Sequence, residues 1–375
     1  MILGHSRSRS LRPHPPPQLL LAVLAALNGG GAERVTLNLL KSIAARDLRV
    51  GLLSFIECGP LRQFLAPAVE SHVLGTASLR RSLVPMIATI RRLRPAVVFS
   101  TLGYVNVAIL ALRVLFPRGT RIWIREANLP SISLTNNKFP RLMRWAYVVL
   151  YRRSDLLICS SARMKDEFVR EFGVPAKKIR VLANPVDEML IRQHAISMAL
   201  LGAPGRRFIA AGRLTQQKGF DRLLEMFASL GDEEAELVIL GEGPLERPLK
   251  QQAIALGISP KVCFAGFVDI PWAWFATADA YLLPSYWEGM PNAALEALAC
   301  GLPVIATPES GGIAEVAAVA APGAVQVVKA GNNFIQAMRE VPCRPKDTVP
   351  KSLLPPQYQL ESVVDTFASW LNEID

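Results

Sequence analysis

Two glutamates with seven residues between them, Glu288 and Glu296, stand in the segment Leu283-Pro-Ser-Tyr-Trp-Glu-Gly-Met-Pro-Asn-Ala-Ala-Leu-Glu-Ala-Leu-Ala-Cys-Gly301. Glu288 falls in a glycine loop and Glu296 on a short helix opened by Pro291, so the pair cannot share one helical face. They would grip different parts of one elongated ligand. Carboxylates accept hydrogen bonds from hydroxyl pairs, which points to sugars rather than to a metal ion. A solvated surface position is the alternative for each. Glu296, however, is set in a small, apolar run where an unpaired buried charge is costly, so it calls for a partner.

A second group lies in Ala210-Ala-Gly-Arg-Leu-Thr-Gln-Gln-Lys-Gly-Phe-Asp221. Arg213 and Lys218 sit between an apolar run and a new helical pattern. A diphosphate needs cations in this arrangement, arginine by paired hydrogen bonds and lysine as a point charge. Two exposed loop cations are the alternative. A third group, Asn28-Gly29-Gly30-Gly31, leads into an amphipathic stretch, Ala32–Ala45. Bare backbone N–H groups at a helix start can approach an anionic oxygen, although a tight turn alone would have the same sequence.

These groups need elements to hold them. Short apolar runs near residues 19–27, 49–55, 96–100, 121–124, 156–159 and 180–182 alternate with helical patterns. The alternation restarts after a non-periodic connector, Met189–Arg206, with runs near 207–211, 237–240, 262–265, 281–283 and 304–306. Two doubly wound α/β domains follow, with ligands expected beyond the carboxyl ends of the strands.

The length of 375 residues allows two or three domains at about 150 residues each. With 51% hydrophobic and 19% charged residues the chain is globular rather than disordered. The Arg- and Pro-rich residues 1–18 are the exception and are expected to be a disordered leader. Leu19–Leu27 is the longest apolar run, nine residues, whereas a membrane-spanning helix needs roughly 18 to 20. Together with the leader it imitates a signal peptide, but its removal would delete a buried strand that runs into the glycine loop. Five cysteines and four histidines show no metal-ligand spacing, so a cytosolic location without structural zinc is expected. Charge divides unevenly: residues 1–190 hold 28 Lys and Arg against 11 Asp and Glu, and residues 191–375 hold 14 against 20, so +17 stands beside −6. Nucleic acid, an anionic membrane and a merely solvated basic surface all answer to such a charge.

Taken together, the segments resemble the retaining glycosyltransferases of family 4, with the GT-B fold. The resemblance rests on Glu288-x7-Glu296, Gly301-Leu-Pro-Val-Ile-Ala306, Gly311-Gly312-x-x-Glu315, Gly212-Arg-Leu214 with Lys218-Gly219, Leu240-Gly-Glu-Gly-Pro244, Gly266-Phe-Val268 and Asn184-Pro-Val-Asp187, in order along nearly the whole chain. It implies two Rossmann-like domains facing across a cleft: 19–188 on the acceptor side, 189–356 holding the nucleotide sugar, and 357–375 as a helix returning to the first domain. Arg213 and Lys218 would neutralise the donor diphosphate and act in catalysis with Glu288, which holds donor-sugar hydroxyls. Glu296 would hold the ribose. Gly30 and Gly31 would approach the phosphates from the opposite domain. Backbone groups at Gly289, Met290, Pro291 and Asn292 would lie beside the donor, and Val268 would form part of the nucleobase wall. A UDP-sugar is the favoured co-substrate, with no further cofactor. No metal is implied, since the chain has no Asp-x-Asp and its cations and helix dipoles supply the positive charge.

One departure concerns the acceptor side. Many members of the family carry a histidine after a late N-terminal strand, and its place here falls in Ile124-Arg-Glu-Ala-Asn128, at Ala127. In a retaining transfer without a covalent intermediate the leaving phosphate oxygen can take the acceptor proton, so the mechanism survives. Glu126 and Asn128 become the acceptor-side candidates, Glu126 either orienting a hydroxyl or pairing with an arginine. The acceptor is expected to be a glycan or lipid-linked molecule of cell-envelope polysaccharide synthesis. Arg80-Arg81, Arg91-Arg92-x-Arg94 and Lys138–Arg153 mix cations with apolar residues and suit an anionic membrane surface. Against this, Trp145, Tyr147 and Tyr151 would instead face the core. The protein is expected in the cytoplasm, peripherally on the membrane's inner face. A GT-B-type nucleotide-sugar epimerase is the nearest rival, and it would need a carboxylate and histidine acid–base set that the chain lacks. A nucleic-acid-binding protein rests on charge alone, without an aromatic-basic motif, and nucleic acid is not an expected partner.

Overall fold

The computed structural model of the chain describes residues 18–27, 30–46, 48–56, 59–135, 139–196, 205–344 and 350–374. The leader apart from Gln18, Asn28 and Gly29 of the glycine loop, and Lys138 lie outside them.

Among the described residues two parallel sheets form. The first contains β1 (Leu20–Leu24), β2 (Val50–Ser54), β3 (Glu70–Val73), β4 (Val97–Ser100), β5 (Arg121–Glu126), β6 (Leu156–Cys159) and β7 (Ile179–Val181) in the order β3-β2-β1-β4-β5-β6-β7. The second contains β8 (Arg207–Ala211), β9 (Glu236–Leu240), β10 (Val262–Gly266), β11 (Ala280–Leu283), β12 (Val304–Ala306) and β13 (Val325–Val327) in the order β10-β9-β8-β11-β12-β13. Helices between the strands cover the faces, giving two Rossmann-like domains. In each sheet the order reverses beside the first strand, between β1 and β4 and between β8 and β11. Ligands of doubly wound sheets bind at such reversals. The glycine loop follows β1, the Arg213–Lys218 loop follows β8 and the Glu288 loop follows β11.

The apolar runs read from the sequence are strands, buried throughout in β1, β2, β4, β6, β11 and β12 and only partly covered in the edge strands β7 and β10. β1 is paired on both edges, Leu21 with Gly51 of β2 and with Val98 of β4, and all five of its residues are buried. Two strands escape a search for apolar runs. β3, Glu-Ser-His-Val, and β13, Val-Gln-Val, are edge strands with partly exposed side chains, so their sequences need not be apolar.

The connector expected over Met189–Arg206 is corrected in its first part, where a helix spans Glu188–Ile196. Its Ile191 and Ala195 are buried in the second domain's core, while Arg192 donates to the carbonyls of Ala299 and Pro350. Tertiary packing stabilises a helix whose own periodicity is weak. The last helix, Leu360–Asn372, packs Val363, Val364, Phe367 and Trp370 into the first domain's core. The Phe367 ring meets Phe99 and Trp123 edge-on, with centroids 5.5 Å apart in both cases.

Candidate active site

The Arg213–Lys218 loop and the Glu288 loop form one structure. Gly219 adopts φ +65°, and a Cβ there would stand 2.1 Å from the Pro284 carbonyl oxygen, so only glycine admits the approach. Arg222 then ties the strand end, donating from Nε to the Pro284 carbonyl and from Nη2 to that of Ser285, each at 2.6 Å. Its guanidinium lies 4.2 Å over the Tyr286 ring. This bracing delivers Glu288 to Lys218, with Oε1 2.5 Å from Nζ. Ser285 Oγ also donates to Glu288 Oε1 at 2.9 Å, and Gln217 Nε2 reaches Oε2 at 3.4 Å. Glu288 is thus a buried carboxylate with three partners. Arg213, from the same loop, is exposed and forms none of these bonds.

Glu296 lies on the helix Asn292–Ala299 and accepts a hydrogen bond from Trp272 Nε1 at 2.9 Å. Burial pushes its carboxyl above the usual range, opposed by the Arg34 charge and the indole bond. Arg34 comes from the opposite domain, in the helix Gly31–Ala44 that follows the glycine loop. Arg34 and Trp272 had no role on sequence grounds. A signal exists for Arg34, since a cation in a helix's first turn opposes the dipole and needs an acidic partner. Nothing local marks Trp272.

The domains meet tightly around these loops. A Cβ on Gly289 would stand 2.1 Å from the Ala127 carbonyl oxygen, and one on Gly31 would stand 2.8 Å from Asn292 Nδ2. Gly312 N–H donates to the Gly289 carbonyl at 2.8 Å. From the same turn, Glu315 accepts the backbone N–H groups of Ala162 and Arg163 at 2.9 and 3.0 Å. Those are the first two residues of the helix Ala162–Phe172, so a carboxylate of the second domain caps the positive end of a first-domain helix.

The remaining expected residues divide. Gly31 faces Asn292 and Gly289 faces Ala127 across the domains, whereas Gly30 precedes the helix Gly31–Ala44, Met290 is buried in the second core against Gly312, and Pro291 precedes the helix Asn292–Ala299. Val268 is half-buried against the second core beyond β10, with Phe267 beside it 59% exposed. Asn128 is exposed next to Gly289. Glu126 corrects the expectation. It ends β5 at 4% exposure, and its Oε1 accepts from Asn106 Nδ2 at 2.8 Å, Tyr147 OH at 3.2 Å and Tyr151 OH. Its partners are an amide and two phenols rather than an arginine, and its carboxyl is not presented to an acceptor. Burial pushes it up to about 7, against the lowering effect of the three hydrogen bonds. Tyr147 and Tyr151 face the core, whereas Trp145 is 61% exposed.

Among the described residues no three His, Cys, Asp or Glu side chains gather as a metal-binding group, and no helix is long and apolar enough to cross a membrane.

Comparison with known proteins agrees with this architecture. The model of the family described as Glycosyltransferase Family 4 matches residues 29–189, and that of Glycosyl transferases group 1 matches 201–342. The chain is 27% identical over 314 residues, 80% of its length and 83% of the relative's, to the N-acetylgalactosamine-N,N'-diacetylbacillosaminyl-diphospho-undecaprenol 4-alpha-N-acetylgalactosaminyltransferase of Campylobacter jejuni. It is 27% identical over 288 residues, 75% and 77% of the two chains, to the lipopolysaccharide core biosynthesis glycosyltransferase LpsE of Rhizobium meliloti. Among solved structures, Anabaena HepE in complex with UDP superimposes with a TM-score of 0.76 at 18% identity, over 95% of this chain and 100% of that one. Both halves of the chain and their order being accounted for, it belongs to the family 4 glycosyltransferases and is a transferase with the GT-B fold.

Proposed function

We propose that the chain is a retaining, metal-independent hexosyltransferase that moves a sugar from a nucleoside diphosphate, UDP favoured, to a lipid-linked or glycan acceptor in cell-envelope synthesis. The observation that carries this reading is the Lys218–Glu288 pair at the β8/β11 reversal, with Arg213 exposed on the same loop as Lys218 and Glu296 on the following helix. The donor diphosphate would draw on Arg213, Lys218 and the start of the helix Asn292–Ala299, a source of positive charge that needs no metal. Glu288 would accept hydrogen bonds from the sugar hydroxyls and Glu296 from the ribose, with Val268 beside the base. Gly30 and Gly31 would close on the phosphates from the first domain. The leaving phosphate oxygen, held by Arg213 and Lys218, would take the proton of the acceptor hydroxyl on the same face, with Asn128 as the acceptor-side contact. Residues 19–188 serve the acceptor in this reading, 189–356 the donor, and 357–375 link the two.

Support for a lipid-linked acceptor comes from the Campylobacter and Rhizobium relatives and from the first domain's surface. On the helix Pro140–Leu150, Leu142 and Trp145 are each 61% exposed beside exposed Arg141. Val84, 75% exposed, stands near Arg80 and Arg81 on the helix Leu79–Leu93. Such a face suits peripheral attachment to the inner leaflet of the cytoplasmic membrane.

Thermal-shift ranking of UDP, GDP and ADP sugars tests the donor, because a ligand at a hundredfold excess over its Kd stabilises by about 2.7 kcal/mol. Incubation with the selected donor and no acceptor should yield at most slow hydrolysis. An epimerised donor would instead establish the isomerase.

A further inference from the structure

Arg125, one residue before Glu126 on β5, is 1% exposed. Its Nη2 donates to Asn184 Oδ1, and Asn184 Nδ2 donates in turn to Asn292 Oδ1. The run therefore starts in the first domain's sheet and ends on the first residue of the donor-side helix. An arginine has donors only, and although burial lowers Arg125 to about 10 it stays charged at neutral pH. A donor-only group at one end sets the polarity of everything beyond it. Asn184 must present its oxygen to Arg125, so its NH2 faces Asn292, and Asn292 must answer with its own oxygen. The Asn292 NH2 is left facing Gly31, 2.8 Å from the point a Cβ there would occupy, and it makes no hydrogen bond to a described residue. The absent side chain of Gly31 is what makes room for it.

We propose that Arg125 and Asn184 are positioning residues that hold the side-chain N–H groups of Asn292 toward an acceptor-only oxygen of the donor diphosphate beside Gly31. This rests on the donor-site reading above and adds a side chain to a position expected there for its backbone. A sugar hydroxyl would be served by either end of the amide, because it donates and accepts. A phosphate oxygen accepts only, so it alone needs the polarity fixed. The link spans both domains, so the donor groove would reach full affinity only while they touch.

The test is calorimetric titration of the full chain with whichever of UDP, GDP and ADP binds it most tightly, and with the matching nucleoside. Asn184→Asp still accepts from Arg125 but has no N–H for Asn292, so diphosphate affinity should fall about tenfold. Arg125→Met should fall alike, whereas Arg125→Lys, donor-only like the original, should stay within about threefold of wild type. A mere packing role would favour Met over Lys. Nucleoside affinity and acceptor KM should not move. If Asn184→Asp does not fold, Asn292→Asp at the half-buried helix start gives the readout, with a loss beyond tenfold from carboxylate facing phosphate. Lys218→Ala serves as the reference. If it weakens binding while Asn184→Asp (or Asn292→Asp) and Arg125→Met bind as wild type, the positioning role is overturned and the donor site stands. If Lys218→Ala binds as wild type, the donor site itself is misplaced and the positioning role falls with it.

Discussion

Lys218 Nζ lies 2.5 Å from Glu288 Oε1, joining two residues that the family resemblance assigns to different parts of the donor. The side chains are 20% and 7% exposed, so water screens the pair little. The cation proposed for the diphosphate and the carboxylate proposed for the sugar thus hold each other in place. The pair sets the rotamers of both groups.

Arg213 and Lys218 should therefore fail differently. Arg213→Ala removes an exposed side chain and should weaken donor binding by about 1.5 to 3 kcal/mol with an unchanged melting temperature. Lys218→Ala should weaken donor binding and also destabilise the fold by about 2 to 4 kcal/mol, since it leaves a buried carboxylate without its countercharge. Denaturant unfolding beside donor titration checks both. Equal stabilities of the two variants would contradict the coupling.

The two glutamates should separate kinetically. In the proposed reading Glu288 would serve the sugar, where charge develops, so Glu288→Gln should lower kcat more than it raises donor KM. Glu296 would grip a ribose that is the same in ground and transition states, so Glu296→Gln should raise donor KM and leave kcat nearly unchanged. Steady-state kinetics with the reverse pattern would reverse the roles.

Gly289→Ala should act across the domain boundary. Its Cβ would meet the Ala127 carbonyl oxygen at 2.1 Å, and backbone cannot swing aside as a side chain can. The loops should be forced apart by about an ångström, with a loss of about 100-fold in kcat/KM. Each domain should keep its stability, and faster amide hydrogen exchange around Ala127 and Gly289 should report the loosened contact.

Stability should fall as pH rises toward neutrality. The Glu126 carboxyl is raised from 4.5 to about 7, so between those values the folded chain keeps a proton that the unfolded chain has released. Its contribution is complete below pH 4.5 and is lost as pH passes 7, a change on the order of 3 kcal/mol. Glu167 and Glu296 are raised by burial too and add to the same slope. Glu126→Gln, which cannot ionise, should flatten it. Unfolding curves of both proteins at pH 5, 6, 7 and 8 give the comparison.

Vesicle flotation addresses the first domain's surface. Binding to anionic vesicles should exceed binding to neutral ones and fade with salt. Leu142→Glu with Trp145→Glu should abolish it without loss of fold, since both side chains are exposed. Binding by the double variant equal to wild type would place the membrane contact elsewhere.

The two-domain α/β architecture was legible in the sequence because buried parallel strands must be apolar runs and their connections must be helical. The glycine and proline loops were legible for a related reason, since backbone turns at strand ends restrict residue type locally. The contacts that join distant residues were not. Lys218 and Glu288 are 70 positions apart, Asn184 and Asn292 108, and Ala162 and Glu315 153. No periodicity records such pairs. The edge strands β3 and β13 are defined by one neighbour each, and the helix Glu188–Ile196 by the surface it covers, so their sequences carry little of their own signal. Glu126 shows the division most plainly. Its chain position puts it at a strand end facing the cleft, where acidic residues do chemistry. Tyr147 and Tyr151, on and just after a helix more than twenty residues further along the chain, draw its carboxyl into the core by hydrogen bonds that only the packed structure can form.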